Sequence, residues 1–226
     1  MKTFFKPGAL LILFFMSGNH IVFAQTPSSW YYENEFDLAI PLREKWTIEI
    51  GFGNRGLFTE KIGEESSGYK HQHLELNQFT HYSAPKNLIL SLGLRYRFKE
   101  LFDQLETDEF RMIEQIEMES VYSSMSLFQR FRLEQRFRVN TVHRMRYQIG
   151  FDKPINDSFS WEVSTEALYS VSAKAPPEAE QRFNLGLENS SFENLEVELN
   201  FEYRIEDYAR YPGHEFFIIT GVSLTL

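Results

Sequence analysis

Between positions 128 and 147 charged residues recur at every second place. Arg130, Arg132, Glu134, Arg136 and Arg138 are separated by single residues, and Arg144 and Arg146 repeat the spacing. Residues two apart share a face of an extended strand, so this pattern lines one side of two strands with guanidiniums. A guanidinium stays charged at any physiological pH and presents its donors in a rigid fork that fits carboxylates. Arg95 and Arg97 carry the same spacing, as do the carboxylates Glu117 and Glu119. Glu162 and Glu166, and Glu196, Glu198 and Glu202, lie two or four apart and so also share a face. Two roles suit such a set. The charges neutralise one another and stiffen an interior, or a basic wall faces an acidic wall and selects small polar solutes.

Hairpin geometry proposes partners. A turn about Ser124-Met125 sets Glu119 against Arg130 and Glu117 against Arg132. Across the turn at Pro154, one register pairs Arg146 with Glu162, and another pairs Arg144 with Glu166. In either case an arginine meets a glutamate.

Other constellations are weaker. His81-Tyr82-Ser83 puts a base and a hydroxyl on one strand face. It is similar to the His-x-Ser of outer-membrane lipid A deacylases, but Ala84-Pro85 follows here and the pair abuts a tight turn, so no catalysis is expected. His71, His73 and Glu75 share a strand edge, yet three ligands in a row spread over ~13 Å, too far for one ion. A hydrogen-bonded cluster is the expectation, with no metal and no cofactor. Gly51 and Gly53 flank Phe52 and are expected to bend a strand rather than admit a ligand. No phosphate-binding glycine loop or zinc-ligand cysteine set occurs, and the chain has no cysteine.

The elements that must hold these residues are strands. Phe216, Ile218, Val222, Leu224 and Leu226 alternate up to the last residue, and Leu88, Leu90, Leu92, Leu94, Tyr96 and Phe98 alternate with Ser91, Gly93, Arg95, Arg97 and Lys99. The same period recurs in about eleven segments of ~10–13 residues, the length a tilted strand needs to cross hydrocarbon. Short turns, as at Pro41–Glu44 and Ala84–Asn87, alternate with longer acidic loops at Lys61–Gly68, Glu100–Asp108, Ala173–Glu180 and Glu206–Gly213. Single-chain bacterial barrels close with even numbers. The expectation is therefore ten or twelve strands, with a further strand inside Phe102–Asp108 or the weak segment Arg182–Asn189 discounted. A soluble barrel would place the large apolar residues inside, and so many of them would overfill it. The reading is a single antiparallel transmembrane β-barrel with apolar residues toward lipid, charges in the lumen, short periplasmic turns and longer external loops.

The N-terminus agrees with export. Lys2 and Lys6 precede an apolar stretch from Ala9 to Met16, and Val22-Phe23-Ala24 offers small residues for cleavage after Ala24. Residues 1–24 are read as a signal peptide and residues 25–226 as one barrel domain. The chain has a formal net charge of −9, which argues against nucleic acid and anionic membrane surfaces as partners. Outer-membrane lipid is the expected surrounding, and small polar solutes are the alternative partner.

The stretch Phe128-Gln129-Arg130-Phe131-Arg132-Leu133-Glu134-Gln135-Arg136-Phe137, followed by Arg144-Met145-Arg146-Tyr147, resembles the central motif of the family catalogued as domain of unknown function 2490. The resemblance implies a small exported barrel-forming protein, of a kind found largely in Bacteroidetes-type bacteria. It implies no activity.

Overall fold

The computed structural model describes residues 28–62 and 65–226; the signal-peptide segment read at residues 1–24 lies outside them. The chain forms β1 (Ser28–Arg43), β2 (Trp46–Ile62), β3 (Glu65–Ser67), β4 (Lys70–Ala84), β5 (Leu88–Phe98) and β6 (Glu109–Tyr122). It continues with β7 (Met125–Phe137), β8 (Val142–Pro154), β9 (Phe159–Ser172), β10 (Glu178–Phe192), β11 (Leu195–Glu206) and β12 (Gly213–Thr225). Neighbours in sequence pair antiparallel, except that β3 folds back on the end of β2 and β4 takes the next place in the wall. β1 then pairs with β12 and closes a barrel of eleven wall strands.

The closing pair is parallel, with Trp30 opposite Phe216 and Phe36 opposite Val222. This corrects the expectation of an even count. In a meander each strand reverses direction, so the first and last of an odd number run the same way. A parallel seam is then the only closure. The stretch Phe102–Asp108 holds turns and no strand, whereas Arg182–Asn189 lies inside β10. The acidic loops are also shorter than read: Lys61 belongs to β2, and Glu178 and Glu180 belong to β10.

Register sets the bore. Followed once around the wall, the paired positions return to β1 displaced by ~14 residues, which for this strand number means a tilt of roughly 42° and a backbone radius of about 11 Å. Arginine and glutamate side chains are long enough to fill most of such a lumen.

Burial is inverted relative to a soluble barrel. Among the described residues the buried apolar ones are Tyr31, Leu57, Phe79, Ile113, Leu168 and Phe217, while eighteen polar or charged residues are buried. Leu92 (53% exposed), Leu185 (58%) and Leu199 (52%) stand outside instead. An apolar belt open to the surroundings around a charged interior is the reverse of the soluble arrangement. Asn34, Asn54 and Thr220 interrupt the belt near the seam and bond to one another at 2.8 and 2.7 Å. Glu114 is a charged exception within the belt, outward between Leu92 and Leu133.

Tight turns join strands at one rim. Ser123, with φ of 57°, turns β6 into β7, and Asn194, with φ of 60°, turns β10 into β11. Longer connections occupy the other rim. A Cβ at Gly51 would lie 2.3 Å from Asp37 Oδ1 on the neighbouring strand. Gly93 similarly leaves room for the inward ring of Phe79.

Candidate functional site

A cavity of about 1150 Å³ occupies the lumen. It opens among loop residues that include Leu105, Asn140 and Ala175 and extends down to Glu117, Glu162 and Glu198. Twelve of its lining residues are arginine. Alternation explains the crowding, because every second residue of a wall strand must point inward and the apolar ones point out.

Ten of those arginines lie within 4.0 Å of a carboxylate, and they share seven glutamates. Glu134 is fully buried and takes Arg146 Nη1 at 2.8 Å, with Arg111 at 3.6 Å and Arg132 at 3.8 Å. Arg146 also donates to Glu166 through Nε at 3.0 Å and Nη2 at 2.6 Å, a two-pronged pair. Glu109, fully buried as well, holds Arg136 at 2.8 Å, Arg138 at 2.5 Å and Arg111. Glu75 binds Arg95 at 3.0 Å and Arg97 through Nε at 2.8 Å. Across the first hairpin Glu33 on β1 binds Arg55 on β2 at 2.7 Å, and Arg204 on β11 lies 3.6 Å over the ring of Phe217 on β12. Removing any charge from so dry a set leaves its partner uncompensated.

The structure brings together Arg95, Arg97, Arg132, Glu134, Arg136, Arg146 and Glu166 from the residues singled out in sequence. It separates others. The hairpin turns on Ser123-Ser124, so Glu117 faces Arg130, Gln115 faces Arg132 and Glu119 faces Phe128. The partners expected from a turn about Ser124-Met125 are displaced by two residues. Glu117 accepts a hydrogen bond from Gln115, not from an arginine. Neither register expected across Pro154 occurs: Arg146 is opposite Leu168 and Arg144 opposite Ser170. Arg146 still reaches Glu166, diagonally. Glu162 accepts from Asn184 at 3.2 Å and stands opposite Asp152. Arg130 and Arg144 have no carboxylate within 4.0 Å among the described residues and bond to Gln148 and Ser170.

Sequence reading missed Glu33, Arg55, Glu109, Arg111, Glu180, Arg182 and Arg204 as members. A signal was present: Glu109-x-Arg111, Glu180-x-Arg182 and Glu202-x-Arg204 each place opposite charges two apart on one face, and each forms an ion pair.

The remaining candidates fall into the same fabric. His73 is buried beside Glu75, and His71 meets the Tyr32 hydroxyl at 3.2 Å. No group of three metal-ligating side chains occurs among the described residues. His81 pairs with Ser91 at 2.8 Å, not with Ser83, which is exposed at the short-turn rim.

Fold and site together define a closed β-barrel with a charged, largely neutralised lumen. The chain belongs to the family described as protein of unknown function (DUF2490), whose model matches residues 32–212. No curated protein matches it. Among solved structures, the anion-selective porin from Comamonas acidovorans is similar at 14% identity and a TM-score of 0.37, over 78% of this chain and 55% of that one. This chain thus spans about half the length of that porin, and a likeness so slight carries no argument about transport.

Proposed function

We propose that this protein is an outer-membrane β-barrel whose lumen is braced by arginine and glutamate and whose role is structural or interactive, not enzymatic. The observation that carries the reading is the inversion of burial: fully buried Glu109 and Glu134 inside, with exposed Leu92, Leu185 and Leu199 outside. Such a surface is stable only against hydrocarbon, and such an interior only with its charges paired. On this reading the tight turns face the periplasm, the longer connections face outward, and residues 1–24 direct export and are removed. His81 bonds through Nδ1 to Ser91 and not to Ser83, which supports a non-enzymatic role.

The cavity favours a second reading, a narrow path for small polar solutes. Two experiments test the pair. Membrane fractionation is expected to place the chain in the outer membrane, with migration on gels that changes on heating; recovery from the soluble periplasm would end both readings. In planar bilayers the braced barrel is expected to show no steady open-channel steps. Discrete, ohmic conductance would replace the brace with the path.

A further inference from the structure

The lumen arginines are not evenly satisfied. Twelve line the cavity; ten lie within 4.0 Å of one of seven glutamates, while other carboxylates of the lining, among them Glu35, Glu117, Glu162 and Glu198, lie that close to none of them. The poorest-paired arginines stand on the β7–β8 wall. Arg130 donates to the side-chain carbonyl of Gln148, Arg132 donates to that of Gln115 at 2.6 Å, and Arg144 donates to Ser170 Oγ at 3.0 Å. All three acceptors are neutral. Arg132 has Glu134 only at 3.8 Å, and the like charges acting on it come from Arg130, Arg146 and Arg95. Nε of Arg130 is buried with no acceptor at all. Glu117 stands opposite Arg130 in register but is engaged by Gln115.

We propose that Arg130 and Arg132 form a binding site for a small oxyanion, a phosphate or a carboxylate, held in the cavity against the β7 wall. Two guanidiniums at positions two apart present parallel forks about 7 Å apart, and an oxyanion between them accepts from both. The anion supplies the charge that Gln148 and Gln115 lack and satisfies donors that are otherwise dry. Oxygen acceptors match the planar fork better than a spherical halide does. The cavity connects the site to the long-loop mouth past Arg138 and Arg144. The site depends on barrel geometry alone, so it is compatible with a conducting or a non-conducting lumen.

The test uses the mature chain refolded in detergent micelles and titrated calorimetrically with sodium phosphate, with ionic strength held by sodium chloride. Saturable binding of one phosphate is expected, with acetate competing. Arg130→Gln should weaken it at least tenfold. Gln148→Glu places a carboxylate beside Arg130; it should abolish binding and raise the unfolding temperature in phosphate-free buffer. Because that variant keeps an acceptor beside Arg130 and exchanges only the Gln148 donation to Ser164 Oγ, which the serine hydroxyl can reverse, it keeps the test valid if Arg130→Gln fails to fold, and heat-modifiable migration reports folding for each. Lys70→Ala, at the exposed start of β4, should bind as the parent does. No phosphate heat in the parent, equal binding in Gln148→Glu, or the same response to chloride alone would each overturn the proposal. So would binding that appears only after Glu117→Gln, because Glu117 would then be the natural counter-charge.

Discussion

The two halves of the lumen obey different rules. From the long-loop mouth to the middle, arginines interleave with glutamates, and the most buried carboxylates, Glu109 and Glu134, each hold several guanidiniums. Toward the short turns the inward charges include Asp37, Glu49, Glu117, Glu119, Asp152, Glu162, Glu188, Glu196 and Glu198, with Arg130 opposite Glu117 at their upper edge. Further cations stand in turn and strand-end residues such as Arg43, Lys45 and Lys86. Like charges even stand directly opposite there, Asp152 against Glu162 and Glu188 against Glu198. The difference is one of water. Where side chains are dry, an unpaired charge is costly and pairing is enforced. Where they are half-buried or exposed, solvent screens them and repulsion is tolerated. The lumen field therefore runs partly along the barrel axis, in addition to the transverse basic and acidic walls suggested by the alternation.

Substitutions on either side of that divide should behave unequally. The largest effect is expected at Arg146, whose loss takes from Glu134 and Glu166 their shortest partner and leaves only guanidiniums 3.6 to 3.8 Å away. Arg146→Met should cost ~3–5 kcal/mol, seen as a lowered midpoint in denaturant titration of the micelle-embedded barrel. An unchanged midpoint would mean that the middle is wet.

Arg132→Met should cost less, ~1–2 kcal/mol, because the closest partner lost is the neutral Gln115 amide. Combining it with Glu117→Gln should restore nothing, since Glu117 does not bind Arg132; a rescue would move Glu117 into the braced half. In the acidic half the sign should reverse. Glu188→Gln removes a repulsion with Glu198 and should stabilise by ~0.2–1 kcal/mol at neutral pH. The gain should disappear in acid, where protonation has already removed the repulsion, as paired thermal melts at the two pH values would record.

The smallest effect belongs outside the lumen. The hydrogen bond from Lys70 holds the Asp103 carboxyl below the usual carboxylate range. A depressed carboxylate favours folding above its ordinary pKa and loses that contribution as pH falls. Both groups are so exposed that Lys70→Ala should leave the melting temperature unchanged at pH 7 and pH 3.

Much of this was legible in the residues. Alternation along Leu88–Phe98 and Phe216–Leu226 assigned each side chain to a face, because a strand has only two. The same alternation counted eleven segments, and it was the parity rule that displaced the count. The arginine ladder was visible because its spacing equals the strand period. Partners were not visible. A pair across a hairpin depends on where the turn is centred, and Ser123 taking positive φ moves every β6–β7 partner by two positions.

What the sequence by itself determined about this protein is which side of the wall each residue occupies, since that follows from local backbone geometry. Only the tertiary structure decided the parallel seam of β1 and β12, the bore, and which arginine meets which glutamate. Those depend on register accumulated around a closed circuit, and no single segment carries that information.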